Sequence, residues 1–495
     1  MRKHISNVIK AAAFLLILCL SLHWINQVVM PKYILKNNIW PTTSSYNQFY
    51  EMEKNTVDVL FLGSSVTVNA FSPQEIYNDY GIRSYNLGSE QQSIFLSYYW
   101  LKEALRFQSP QVVVLDTRFL FQIHPGSKIN TYEGLIRKCM DSMKWSSVKR
   151  EAVSDICKID KSQNEESYYL RNIRFHTRWS DLTEYDFVSD ESKYSELKGF
   201  SPIETYGTGE YPTFESNGNT ESRQEIPDVM KTYMDKTVKL CKDEGIELVL
   251  ISQPNNPMND SYNNTLIEYA EENDLDYYNM CSTEIYESLD IESPKENAAD
   301  HANLWGAIKM SKYIGELLRD EYDVKPVEDE QYESTRDYYD HIKKNCELVH
   351  IDDMEEYLEE IDDDSYTIFI AATDDASAGL TDEVKAGLKK LGLKKDLTDK
   401  MRWSYAAVIS PENGVSESLI SGSEASLSGS IRNKNTFYSV TSCGSYAGTT
   451  STITIDDVDY CQNKRGLNFV VYDNELMKVV DKVTFDTYAD CSASR

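Results

Sequence analysis

Between residues 58 and 318, short runs too apolar for a protein surface alternate with longer stretches of helical periodicity. The clearest runs are DVLFLG (58–63), QVVVLD (111–116) and IELVLISQ (246–253). A strand covered on both faces reads as a continuous apolar run, and a helix between two such strands supplies the crossover that parallel pairing needs. SYNLG (84–88) fits a second strand and LDYYNM (275–280) an edge strand. SPQEIYNDYG (72–81) predicts a short helix with Ser72 as its cap and Pro73 at the first helical position. QSIFLSYYWLKEALRF (92–107) reads as an amphipathic helix. Further helices are expected over 229–245, closed by Gly245, over 265–274 and over 305–322. Right-handed crossovers then give an α/β, doubly wound, mostly parallel sheet with helices on both faces.

The chain as a whole sets limits. Its 495 residues suit two or three domains. A net charge of -30 with no basic cluster excludes nucleic acid as a partner, because phosphate is repelled over most of the surface. The nine cysteines form no CxxC pair and show no Cys/His spacing that holds zinc. Their odd number leaves at least one thiol unpaired. Cys443, Cys461 and Cys491 are close enough in sequence for one bridge. At the N-terminus, Arg2, Lys3 and Lys10 precede a mostly apolar stretch, 11–30, about long enough to cross a bilayer. No small-x-small site follows, so a signal-anchor is expected, with the stub cytoplasmic and the bulk extracellular. A cleaved secretory signal is the alternative. Leu18 is bulky where a lipoprotein signal has a small residue, which argues against lipidation of Cys19.

A long insertion, 119–225, separates the third and fourth strands. It is rich in charge and aromatics, with YYLRNIRFHTRWSDLTEYDF (168–187) at its centre. Insertions of this size form lids, substrate walls or plain surface elaborations. The expected division is an anchor over 1–30, an α/β domain over 50–322, a charged connector over 323–345 and a mixed, mostly β domain over 346–495. In the last, YTIFIAAT, WSYAAVIS, SLSGSIRN, STITIDDVDY, GLNFVVYD and KVVDKVTFDTY read as strands, and DEVKAGLKKLG as a helix closed by Gly392.

Chemistry points to three places in the first domain. An apolar strand ends in Gly63-Ser64-Ser65, and the carboxyl edge of a parallel sheet is where α/β proteins mount reactive groups. Gly-Ser-Ser is also an ordinary turn. Gly88 ends the second strand, where its N–H can face the same rim and serve a developing oxyanion. His301, in AADHANLWGA, stands where the last helix begins and suits a nucleophile's base. Taken alone, a histidine there reads more readily as a helix cap or core residue.

The order and spacing of these blocks resemble the SGNH, or GDSL-like, hydrolase superfamily over about 58–318, nearest to its membrane-anchored DltD-like branch. The resemblance implies Ser65, not Ser64, as nucleophile, His301 as base, and the N–H groups of Ser65 and Gly88 as oxyanion hole. It implies no metal and no organic cofactor. It implies O-acyl transfer or ester hydrolysis on a cell-surface or secreted polysaccharide, with a membrane-bound O-acyltransferase as partner. Two departures stand out. Ala298 occupies the position of the usual aspartate three before the histidine, leaving adjacent Asp300 or a Ser-His dyad. The block that supplies an oxyanion asparagine is replaced by VVVLDTRF (112–119), with Asn86, Gln91 and Gln92 as polar candidates near Gly88. A silent fold serving as an anchored glycan-binding or scaffold protein is the competing reading.

In the last domain, YTIFIAATDDASAGLTDEVKAGLKKLG, RWSYAAVIS and RGLNFVVYDNELMKVVDKVTFDTY resemble the ILEI/PANDER domain. That resemblance implies an accessory role in glycan binding rather than catalysis. Phe485 and Asp486 suit sugar contacts by residue type, but a structural role is the favoured reading and they are left out of the expected site.

Overall fold

The computed structural model describes residues 2–495 except 31–33, 36–37, 40, 122–127, 130, 183, 188–196, 206, 208–212, 255–257, 293–294, 299–300 and 432–435. It divides into two compact units, Met1–Tyr339 and Asp340–Arg495.

The first unit is built on five parallel strands: β1 (Val59–Gly63), β2 (Ser84–Gly88), β3 (Val112–Asp116), β4 (Glu247–Ser252) and β5 (Asp276–Asn279). Their order is β2-β1-β3-β4-β5. The first four are buried along their whole length, apart from Glu247 at the start of β4, which is why β1, β3 and β4 read as apolar runs. The order reverses between β1 and β3, the crevice where open α/β sheets place their ligands.

The N-terminal helix α1 (Arg2–Val29) is long and apolar enough over Asn7–Val29 to span a membrane or act as a signal sequence. Helix α2 (Pro41–Phe49), which its sequence does not announce, buries Tyr46 and Phe49, and Tyr46 stacks on Trp100 with 4.0 Å between ring centres. Helix α3 (Ser65–Ala70) follows β1 directly. Helix α4 (Pro73–Tyr80) starts as expected: Ser72 Oγ accepts from the Glu75 N–H, and Gly81 ends the helix at φ 67°, a left-handed conformation that favours glycine.

Helix α5 (Ile94–Ala104) differs from its amphipathic reading, because every residue but Lys102 is buried. The cover comes partly from the insertion, whose helix Ser147–Ile159 brings Asp155 to α5 and to α6 (Asp228–Glu244). Asp155 Oδ2 accepts from Tyr99 at 2.7 Å and from Tyr233 at 2.8 Å. The insertion helix Glu133–Ser142 buries Arg137, which donates to Ser167 and pairs with Asp141. Its charges are therefore partly interior. Helices α7 (Asp260–Asn273) and α8 (Leu304–Asp320) complete the unit.

The second unit is antiparallel. A six-stranded sheet carries Tyr366–Thr373 near its middle, between Ser404–Ser410 and Gly466–Asp473. Alternate residues of Tyr366–Thr373 feed two cores. Tyr366, Ile368, Ile370 and Ala372 pack with helical residues such as Tyr357, Leu358 and Leu388. Phe369 and Ala371 pack with Val440, Ile453 and Ile455 of a second, four-stranded sheet. This is the period of two that a strand imposes. Two strands, Gly414–Ile420 and Thr436–Ser442, have no counterpart in the sequence reading. No disulfide joins any of the nine cysteines, so the bridge considered for Cys443, Cys461 and Cys491 is absent.

Candidate active site

The carboxyl ends of β1 and β2 fall at one level, because Gly63 pairs with Gly88 in parallel register. Glycine is required at both ends. A Cβ on Gly63 would lie 2.1 Å from Thr67 Oγ1 and 2.5 Å from Asp116 Cβ. A Cβ on Gly88 would lie 2.7 Å from both the Gly63 carbonyl oxygen and Val68 Cγ1. Both strand ends are thus pressed against α3, and Gly63 against β3 as well.

The two serines part at this point. Ser64 is fully buried, and its Oγ and N–H both donate to Asp116 Oδ2, at 3.0 and 3.3 Å. Asp116 Oδ1 accepts from the Arg118 N–H at 2.8 Å. Burial pushes the Asp116 carboxyl above its usual range, and these hydrogen bonds only partly oppose it. Ser65 is half-buried, and its Oγ lies 2.8 Å from His301 Nε2. As the first residue of α3, Ser65 presents an N–H that has no acceptor within that helix.

His301 reaches Ser65 across 236 residues because a small hairpin and a capped helix hold it. Asn297–Ala298 pairs antiparallel with His301–Ala302, which sets Ala298 directly opposite His301. Asn303, fully buried, caps α8 by accepting from the Gly306 N–H and donates to the carbonyls of Lys295 and Thr205. A Cβ on Gly306 would come within 2.3 Å of the Glu296 carbonyl oxygen. The succession His301, Asn303, Gly306 therefore has a local cause: the asparagine and glycine fasten the hairpin that carries the histidine. Asp300 lies outside the described residues.

The end of the long insertion runs along this machinery. The Lys198 carbonyl accepts from the Asn86 N–H, and the Ser201 N–H donates to the Val68 carbonyl. The Ile203 carbonyl accepts from the Leu304 N–H, and Asn69 Nδ2 donates to Ser201. One strap thus touches the serine helix and the histidine helix. At β4, Gln253 Nε2 donates to Thr67 Oγ1 at 3.1 Å.

The polar candidates near Gly88 divide. Gln92 is a buried strut that donates to the Leu87 carbonyl and Ser97 and accepts from Tyr46. Asn86 is also buried, and its Nδ2 donates to the Phe71 carbonyl. Gln91 sits in a left-handed turn at φ 48°. Asp116, Asn69 and Thr67 are the residues that sequence reasoning missed. Only Asp116 had a usable signal, as an acid at the carboxyl end of a buried strand. In the second unit, Phe485 is core, packed on Tyr357 and Phe469, and Asp486 forms a two-bond ion pair with Arg465. Among the described residues, no group of three or more His, Cys, Asp or Glu is placed to hold a metal ion.

A family model described as interleukin-like EMT inducer matches residues 327–410. Among solved structures, the chain is similar to a GDSL-like lipase from Bacteroides thetaiotaomicron, at 12% identity and a TM-score of 0.27, covering 56% of this chain and 99% of that one. It is also similar to an acylhydrolase from Bacteroides fragilis, at 13% identity and a TM-score of 0.25, covering 56% and 94%. No curated protein matches the chain.

Proposed function

We propose that this chain is a membrane-anchored, serine-dependent O-acyl hydrolase or transferase acting on a cell-surface or secreted polysaccharide. The observation that carries this reading is the 2.8 Å contact between Ser65 Oγ and His301 Nε2, at the rim of a parallel sheet beside its topological switch point. Ser65 Oγ attacks the carbonyl carbon of an ester while its proton passes to His301 Nε2. The N–H groups of Ser65 and Gly88 receive the developing oxyanion. His301 returns the proton to the departing alcohol oxygen, leaving the acyl group on Ser65. Water or a sugar hydroxyl then gives its proton to His301 and takes the acyl group. The first acceptor makes an esterase and the second a transferase.

Helix α1 anchors the chain with its bulk extracellular, and a membrane-bound O-acyltransferase supplies or receives acyl groups. The ILEI-like unit serves as the glycan-binding accessory. Membranes bearing the full chain or Ser65→Ala test this reading when given O-acetylated and unacetylated polysaccharides. Acetate release or acetyl exchange by the parent chain, abolished by the substitution, is expected. Glycan binding with no acetyl turnover by either protein overturns the enzyme and leaves an anchored binding protein.

A further inference from the structure

Most of α1 stands bare, yet its last turn does not. Leu15, Ile17, Leu20 and Trp24 are exposed, while Val28, Val29 and Met30 are buried. The cover is the centre of the long insertion, where Asn172–Phe175, His176–Ser180 and Glu184–Phe187 pack against α1. Arg178 Nη1 donates to the Val29 carbonyl at 2.8 Å, one of the oxygens that a helix end leaves without a partner. This bond fixes the helix exit against the insertion.

The 23 residues of Asn7–Val29 rise about 34 Å as a helix, against a hydrocarbon core of about 30 Å. A spanning α1 therefore leaves the apolar layer at the turn that the insertion holds. Whatever the insertion exposes beside that turn meets the membrane interface. It exposes Leu170 at 64%, Ile173 at 45%, Trp179 at 72% and Phe187 at 60%. Large apolar groups standing that far out of a folded unit mark a surface that is covered in use. Tryptophan beside a membrane-spanning end is the side chain that suits an interface. Two of the nearby cations are paired, Arg174 with Glu133 and Arg178 with Asp186.

We infer that the insertion surface around Trp179 seats in the interfacial layer of the bilayer beside the exit of α1, with Leu170, Ile173 and Phe187 in contact with lipid chains. This rests on α1 spanning the membrane. It gives the insertion a role: the unit that carries Ser65 is held against the membrane at two points instead of swinging on a tether.

The test is fluorescence of the full chain reconstituted in phosphatidylcholine vesicles, with and without lipids brominated high on the acyl chain. Trp24→Phe and Trp179→Phe are compared with the parent. Each substitution is expected to lower the bromolipid-quenched signal by about the same amount, at low and at high salt alike. An unchanged quenched signal in Trp179→Phe, with a fall in Trp24→Phe, overturns the docking and leaves the anchor standing. A signal that Trp179 loses at high salt also overturns it, by reassigning the contact to charge. No fall in either variant, from a chain that does not float with the vesicles, removes the anchor and the docking together.

Discussion

Two histidines of this chain hold partners more than a hundred residues away, one in each unit, and the contrast separates chemistry from architecture. His341 Nε2 lies 2.6 Å from Asp473 Oδ2. Asn345 donates to the same oxygen at 2.6 Å, and Asp473 Oδ1 accepts from the N–H groups of Glu475 and Leu476. Tyr366 closes the set by donating to Asn345. Hydrogen bonding to Asp473 raises the His341 pKa. Burial pushes Asp473 up, but His341 and the Leu476 N–H hold it below the usual carboxylate range. Asp473 is fully buried, and both of its carboxyl oxygens have partners. His301 instead meets a half-buried hydroxyl on a strand-to-helix turn. A histidine whose partner is a saturated carboxylate is a bolt. A histidine whose partner is a hydroxyl on a strand-to-helix turn is placed as the proposed base would be.

The comparison breaks most sharply at the rim. Ser65→Ala or His301→Ala is expected to lower ester turnover by about a thousandfold or more, while the melting temperature stays near that of the parent. Turnover rates beside thermal unfolding curves check both halves. Gly88→Ala comes next, with a loss of about a hundredfold in kcat/KM, because the new Cβ forces the strand end from Gly63 and Val68 and shifts one oxyanion donor. An unchanged kcat/KM there would remove Gly88 from the site.

In the other unit, His341→Ala is expected to cost about 2 kcal/mol of stability without touching turnover, as read by denaturant unfolding. Its pH dependence follows from the two shifts. A raised histidine pKa gives stability that is full below about pH 6.5 and is lost as pH rises through the raised value. A lowered aspartate pKa gives stability that is present above about pH 3.9 and is lost as pH falls through the lowered value. The parent should therefore show a stability maximum between these limits that the variant lacks. The smallest effect sharpens the contrast from the other side. Ala298→Asp sets a carboxylate directly across a strand pair from His301, where Cβ atoms sit about 5 Å apart. Turnover is expected to rise about tenfold, since a carboxylate steadies the protonated ring. A rise in stability with no rise in turnover would show that the new carboxylate only bolts the ring.

The parallel sheet was legible because burial on both faces fills the middle of β1, β3 and β4 with apolar residues and leaves Asp116, Glu247 and Ser252 to their ends. The insertion was not, because Arg137, Lys138 and Lys149 are buried there in a stretch whose charges read as surface. Helix α3 was hidden for a related reason. Its sequence, SVTVNA, has two β-branched valines and a threonine, and packing on β1 and β2 overrides that preference. Ser65, Gly88 and His301 could be named from sequence, and the structure brings Ser65 to His301 and Gly88 to Gly63. What holds them could not. The strap from Lys198 to Ile203 depends on contacts that no local pattern encodes, and Asp116 showed only as an acid at a strand end, with nothing to say that it lies under Ser64.

The most direct measurement is intact mass of the purified full chain after a fluorophosphonate, run in parallel on the parent, Ser64→Ala and Ser65→Ala. The account predicts one adduct on the parent, one on Ser64→Ala and none on Ser65→Ala. No adduct on the parent, under conditions that label a control serine hydrolase, or an adduct that survives in Ser65→Ala, would contradict it.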